Sequence, residues 1–343
     1  MPQIVVQNLI PHQSSWQKEL GQVFTDPQKL LQYLAIDEAQ FRESFKARKL
    51  FPLRVPVPFA DRMEQGNIND PLLKQVMTSS DEFLTEEGFS DDPLLEQDAA
   101  IPGLLHKYDN RVLLMLKTAC AVNCRYCFRR HFPYQENSVN QQKLQQIADY
   151  IADKPQINEV ILSGGDPLMA SDKHIIQLIE LLSKLKHITR LRIHTRLPVV
   201  IPSRITTELL TALNQAPFNV VMVLHVNHGN EIDENVVNMA KVLKVHHVTL
   251  LNQAVLLKDI NDSATVQVEL NEKLFDAGIM PYYLHLLDKV NGAVHFDVPQ
   301  QEAINLMHQL YRQLPGFLVP KLVREIGGEA HKTPIDLGLH PEL

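Results

Sequence analysis

The sequence predicts an α/β protein, a partial (β/α)6 TIM-like barrel with an N-terminal helical extension, and three observations predict it. Six short apolar runs alternate with segments of helical period between residues 110 and 290. Nearly every run ends in polar or reactive side chains. The chain is also apolar enough for a large core: 45% of its 343 residues are hydrophobic and 21% charged, and a domain of about 300 residues buries about 75% of the surface its unfolded chain exposes. The same content excludes intrinsic disorder.

In chain order, residues 1–100 read as the helical extension. Ser14 and Ser15 offer an N-cap before Trp16, Leu20 and Phe24, which lie at helical spacing. Leu30, Leu34, Phe41 and Phe45 continue that stripe. The prolines of the run 51–58 are expected to stop any helix, because they cannot donate to its ladder. Residues 79–98 are acidic and expected to be loop. The barrel then occupies 101–316, with strands at 112–116, 159–162, 190–194, 219–225, 247–252 and 281–286. Helices are expected at 138–152 and 172–186, and near 203–214, 233–243 and 262–277. Such alternation implies parallel βαβ units. A C-terminal segment, 317–343, completes the chain.

An open doubly wound sheet competes with the barrel, and the strand ends favour the barrel. Cys120 follows the first run and Ser163-Gly164-Gly165-Asp166 the second; His194, His225, Gln253 and Asp288 follow later ones. A barrel gathers its C-terminal strand ends at one mouth, so residues distant in sequence share a site. An open sheet spreads them along its edge.

Several function classes are excluded. No stretch approaches the ~20 apolar residues of a membrane span, and the start MPQIVVQNLIPHQSSW lacks the parts of a signal peptide. With 33 basic against 40 acidic residues, nucleic-acid binding is not expected. The three cysteines, Cys120, Cys124 and Cys127, are an odd and clustered set. That is a poor disulfide framework, and a reduced, cytoplasmic protein is expected.

The spacing Cys120-x3-Cys124-x2-Cys127 asks for a metal. A [4Fe–4S] cluster takes four thiolates, so three leave one iron open to a ligand; a zinc completed by His131 is the alternative. Arg125, Arg129 and Arg130 beside the thiols are expected to lower their pKa values. The segment CAVNCRYCFRR resembles the cluster loop of the radical S-adenosylmethionine (SAM) superfamily, with its aromatic, Tyr126, before the last Cys. The resemblance implies that SAM chelates the open iron and is cleaved by one electron from the cluster to a 5′-deoxyadenosyl radical. Gly164, Gly165 and Asp166 are similar to the loop that receives the amino group of SAM, and His225 and Gln253 match positions that touch SAM.

Within that superfamily the chain resembles the lysine 2,3-aminomutase family over most of its length. The resemblance is carried by Pro102-Gly103-Leu104 with Lys107-Tyr108 and Arg111, by His225-x-Asn-His-x-Asn-Glu, by Asn252-Gln-x-Val-Leu-Leu, and by Gly327-Gly328 followed by Lys332. It implies that Lys332 binds pyridoxal phosphate (PLP), with Lys107, Tyr108 and Arg111 at the phosphate. It also implies that Arg129 receives the carboxylate of L-lysine and that Asp288 receives its ε-ammonium. Glu325 stands where the family has a second ammonium-binding Asp, which puts that pocket in doubt.

The chain ends 11 residues after Lys332. It thus resembles the short branch that makes (R)-β-lysine for a ligase modifying elongation factor P. An external electron donor such as flavodoxin, and a homo-oligomer, are implied likewise. The alternatives are an aminomutase acting on glutamate or arginine, and a zinc-stabilised adaptor without catalysis.

Overall fold

The computed structural model describes residues 16–96, 102–132, 139, 141–329 and 331–339. From residue 111 the chain alternates strand and helix: β1 (Arg111–Lys117), α1 (Gln141–Ala152), β2 (Glu159–Gly164), α2 (Asp172–Ser183), β3 (Arg190–Thr195), α3 (Thr207–Gln215), β4 (Asn219–Leu224), α4 (Glu234–Val245), β5 (Thr249–Val255), α5 (Ala264–Asp276), β6 (Met280–His285), α6 (Gln300–Gln313) and β7 (Lys321–Arg324). All six expected runs are strands. The seventh, β7, pairs parallel with β6 through Leu322 opposite Leu284. Its short run Lys-Leu-Val-Arg carries too little apolar signal to be read as a strand from sequence.

Neighbours in the sheet are neighbours in the chain, and β1 to β7 are all parallel. A doubly wound sheet reverses its order at a switch point; this one does not. With the right-handed crossovers of such units, a constant order puts every helix on one face and curls the other inward. Short antiparallel strands, Leu104–Leu105 on β1 and Thr333–Pro334 on β7, end the sheet on its two sides. The result is a partial barrel.

Period two divides each strand between core and interior. Leu191 and Ile193 of β3 are fully buried in the core, while Arg192 and His194 between them line a central cavity. Leu250 and Ala254 of β5 are buried, and Leu251, Gln253 and Val255 line the same cavity. The helices cover the outer face: Ile175, Leu178, Ile179 and Leu182 form the buried stripe of α2. Side-chain caps start three of them, with Thr206 accepting from Leu209, Asp233 from Val236 and Ser263 from Val266. Among the described residues no helix is long and apolar enough to cross a membrane.

Before residue 111 the helices are short, such as Trp16–Gly21 and Pro27–Tyr33, and are joined by 3-10 turns and a two-residue strand pair. Ser14 and Ser15 lie outside the described residues. The 51–58 run does not stop every helix: Val55–Pro56 is a strand, and helix Val57–Ala60 starts with Pro58 in its first turn, where a missing N–H costs nothing.

The acidic stretch is not simply loop either. A capping box at Ser79 opens the turn Ser80–Phe83 and points Glu82 inward. There Glu82 forms a fully buried bidentate pair with Arg125, and its Oε2 lies 2.6 Å from Arg130. Removing that carboxylate leaves two buried guanidinium groups uncompensated. Glu82→Gln is therefore expected to destabilise the protein by about 3–5 kcal/mol, measured as the shift of the urea unfolding midpoint.

Candidate active site

The cavity at the C-terminal ends of the strands has a volume of about 610 Å³, within the ~300–1,000 Å³ usual for small-molecule sites. Its wall includes the three cysteines, Arg129, Asp288, Glu325 and Lys332. The sulfurs and the amine, more than 200 positions apart in sequence, share one chamber.

The cysteine loop leaves β1 and closes a turn by Cys127 N donating to Cys124 O at 3.0 Å. The end of β2 packs flat against the start of this loop. Gly165 N donates to Lys117 O and Asp166 N to Ala119 O. A Cβ at Gly165 would lie 2.6 Å from the Ala119 carbonyl oxygen, and Gly164 has φ +120° with a Cβ position 2.4 Å from Lys117 O. Both positions exclude any side chain. Gly165→Ala is expected to push the cysteine loop away, lowering stability by about 1–3 kcal/mol and reducing iron bound after reconstitution, read by thermal unfolding and metal analysis.

Desolvation pushes the Cys127 thiol up to about 11 and Cys120 well above its usual range, each helped by the neighbouring sulfurs. This corrects the expected lowering. Glu82 already balances Arg125 and Arg130, and Glu96 balances Arg129, so little positive potential is left for Cys120 and Cys127. The zinc alternative loses its fourth donor. His131 Nε2 lies 3.3 Å from Asn291 O and 3.6 Å from Asp91. Among the described residues no three His, Cys, Asp or Glu side chains converge as one metal ion requires.

Asp166 is buried, and its oxygens accept from Thr195 Oγ1 (2.7 Å), Arg196 N (2.8 Å), Leu197 N (2.9 Å) and Leu168 N (3.0 Å). It ties the β2 loop to the end of β3. Gln253 Nε2 lies 3.0 Å from His225 Nε2, which makes the imidazole the acceptor; burial brings His225 down to about 3, so it is neutral. Gln253 Oε1, His194 Nε2, His285 Nε2 and Asp288 Oδ1 are buried without a hydrogen-bond partner among the described residues. All four belong to residues that line the cavity. Such atoms are costly unless a ligand satisfies them.

Arg129 is buried and donates to Glu96 Oε2 (2.7 Å), Ser163 Oγ (3.0 Å) and Gly164 O (3.0 Å). Burial raises the Glu96 carboxyl, but Arg129 and Lys107 outweigh it and hold the pKa below its usual value. The other Glu96 oxygen takes Lys107 Nζ at 3.1 Å. Lys107 therefore points at Glu96 and does not border the cavity, whereas Tyr108 and Arg111 do, stacked with the guanidinium 3.9 Å from the ring centroid. Lys332 Nζ donates to Glu325 Oε2 at 2.5 Å and sits 6.0 Å from the Tyr283 ring centroid. Asp288 is pushed up to about 7, by desolvation first and by the charge of Glu325 second.

Sequence reasoning missed Glu96 and His285, and gave Arg196, which closes the third run after His194, no role. Glu96 lay in a stretch read as acidic loop, next to Leu95, whose left-handed φ of 53° turns the chain there. His285 and Arg196 carried the signal that did find His225 and Gln253, a polar side chain ending an apolar run.

The pattern of the Radical SAM superfamily matches residues 115–265. The L-lysine 2,3-aminomutase of Escherichia coli (strain K12) is 53% identical over 344 residues, covering 100% of both chains. The chain belongs to the lysine 2,3-aminomutase family. The enzyme of that name from Haemophilus influenzae is 53% identical over 95% of this chain and 96% of its own. The one from Clostridium subterminale is 32% identical over 94% of this chain and 78% of its own. Lysine 2,3-aminomutases are isomerases, and this chain is an enzyme of that radical SAM type.

Membership implies a [4Fe–4S] cluster and SAM, and the residues fit both. Three half-buried thiols border one cavity. The Gly164–Gly165 turn borders the same cavity, and Gln253 offers an unsatisfied acceptor beside a neutral imidazole.

Proposed function

We propose that the enzyme converts L-α-lysine to (R)-β-lysine with PLP as second cofactor, and that the product serves modification of elongation factor P. One observation carries the substrate reading: a buried guanidinium, Arg129, and an unsatisfied carboxylate, Asp288, line the same chamber as the cysteines and Lys332. A molecule with a carboxylate at one end and an ammonium at the other suits such a pair. A substrate with a second carboxylate is disfavoured by the anions Asp288 and Glu325. The elongation factor P link rests on the family resemblance alone.

When bound, PLP supplies an aldehyde for the migrating amino group and a conjugated ring that stabilises an adjacent unpaired electron. The protein does the rest. Lys332 holds the aldehyde end, and Glu325 Oε2, 2.5 Å from Lys332 Nζ, accepts the proton that the amine must lose before acting as a nucleophile. Tyr108 and Arg111 face the phosphate end; Lys107 acts only through Glu96. Arg129, fixed by Glu96, Ser163 and Gly164, orients the substrate carboxylate, and Asp288 orients the distal ammonium. Cys120, Cys124 and Cys127 hold the cluster, His225 and Gln253 face SAM, and Asp166 acts by holding the Gly-Gly turn. Leu113, Ile161, Val221 and Leu251 line the cavity with apolar surface that keeps water from a reactive radical. The barrel of 101–316 thus carries the radical chemistry and the segment 317–343 the amine.

The test is anaerobic reconstitution with iron, sulfide, PLP and SAM, addition of a low-potential one-electron reductant, and chiral mass analysis of the product. (R)-β-lysine from L-lysine is expected. SAM cleavage without any β-lysine would refute the substrate. For the cellular role, deleting the gene is expected to remove the β-lysyl mass increment from elongation factor P; an unchanged mass would refute that link.

A further inference from the structure

Beneath the cysteine loop lies a buried polar network that the proposed reaction does not use. Its centre is Arg196, 5% exposed, at the end of β3. Arg196 Nη1 lies 2.7 Å from Cys124 Sγ and 2.6 Å from Tyr126 Oη, and Nη2 lies 2.7 Å from Gln75 Oε1 and 2.9 Å from Glu231 Oε2. The partners are themselves fixed. Glu231 Oε1 accepts from Asn227 N (2.9 Å), His228 N (3.2 Å) and Gln75 Nε2 (3.2 Å). Asn227 Nδ2 donates to Tyr126 Oη (2.6 Å) and Gln75 Oε1 (3.0 Å). The guanidinium has one orientation, set by groups from the cysteine loop, the loop after β4 and the N-terminal region, and that orientation aims an N–H at a sulfur.

Buried ion pairs are weak devices for stability, so the effect of this one is sought at the sulfur. Hydrogen bonds to ligand sulfurs and nearby charge tune the potential of an iron–sulfur cluster. One-electron reduction makes the cluster and its thiolates more negative, and a donor aimed at the sulfur stabilises that added charge. Glu231, on the far side of the guanidinium, opposes it. We propose that Arg196 is a positioning residue for the electron: its N–H to Cys124 raises the reduction potential of the [4Fe–4S] cluster, and Glu231 limits the rise. The electron comes from a low-potential one-electron donor, the cluster passes from its 2+ to its 1+ state, and no bond of the protein forms or breaks. The inference rests on radical SAM membership and is independent of the substrate and of PLP.

The experiment is an anaerobic redox titration of the reconstituted full-length enzyme, followed by electron paramagnetic resonance of the reduced cluster, with iron counted in each sample. Arg196→Met is expected to move the midpoint to more negative potential at unchanged iron content, and Glu231→Gln to move it to more positive potential. A purely structural role shifts iron content, or shifts both midpoints the same way, and either result overturns the proposal. If Arg196→Met does not fold, Glu231→Gln, which keeps the shape of the side chain, decides alone: a parental midpoint there overturns it. A parent protein that binds no iron under these conditions overturns the cluster reading and the inference together, whereas parental iron with unmoved midpoints overturns only the inference.

Discussion

Lys332→Ala is expected to lower β-lysine formation on the order of 10⁴-fold or more, the scale seen when a residue that bonds covalently in the reaction is removed. Among the described residues the amine is the one lysine nitrogen in the cavity wall, and the proposed function has no substitute for it there. PLP bound by the parent is expected to become fixed to the protein on borohydride reduction, with the label mapped to Lys332 by peptide mass; the variant is expected to take no label. Activity above a few per cent, or a label retained on another residue, would refute the assignment. Glu325→Gln separates the two members of the pair. It leaves the amine in place but removes the carboxylate 2.5 Å away, so labelling is expected to persist and to become slower at neutral pH.

Asp288→Asn is expected to raise KM for lysine about 10- to 100-fold, since a hydrogen bond between charged groups contributes about 1.5–3 kcal/mol. Asp288 is pushed up to about 7, chiefly by desolvation, and this fixes the direction of the pH dependence. Below pH 7 the carboxyl holds a proton and offers no charge to an ammonium; above it the anion forms. KM for lysine is therefore expected to fall as pH rises through 7 in the parent and to stay flat in the variant.

Stability runs the opposite way. A carboxyl whose pKa is higher folded than unfolded binds more protons in the native state, so stability is lost as pH rises through the folded pKa. Above pH 7 the variant is expected to unfold about 2–4 °C higher than the parent, because it no longer buries a charge without a partner. A parent with a pH-independent KM, or a variant less stable at pH 8, would refute this account of Asp288. A gain in stability with a loss of binding is the mark of a residue kept for function.

The barrel and the cysteine site were legible because their signals are local. The apolar runs from Val112 to Leu286 mark the strands whatever surrounds them, and the spacing of Cys120, Cys124 and Cys127 fixes a ligand loop by chain geometry alone. The Gly-Gly turn was legible as a turn. Its stronger reason, the Ala119 carbonyl 2.6 Å from an added Cβ at Gly165, depends on two strands meeting.

What the amino-acid sequence determined by itself is therefore the order of the first six strands and the helices between them, the cysteine loop, and a lysine and an aspartate in segments that border one cavity. Only the tertiary structure decided the charges. Glu82 and Glu96 come from an acidic stretch read as loop, yet they neutralise the arginines of the cysteine loop from 43 and 33 positions away; Lys107 is drawn to Glu96 and leaves the cavity wall to Tyr108 and Arg111. The Cys120 and Cys127 thiols rise in pKa instead of falling. The physical reason is the same each time. Desolvation and ion pairing depend on which groups are packed within a few ångströms, and that distance is set by the fold and not by separation along the chain.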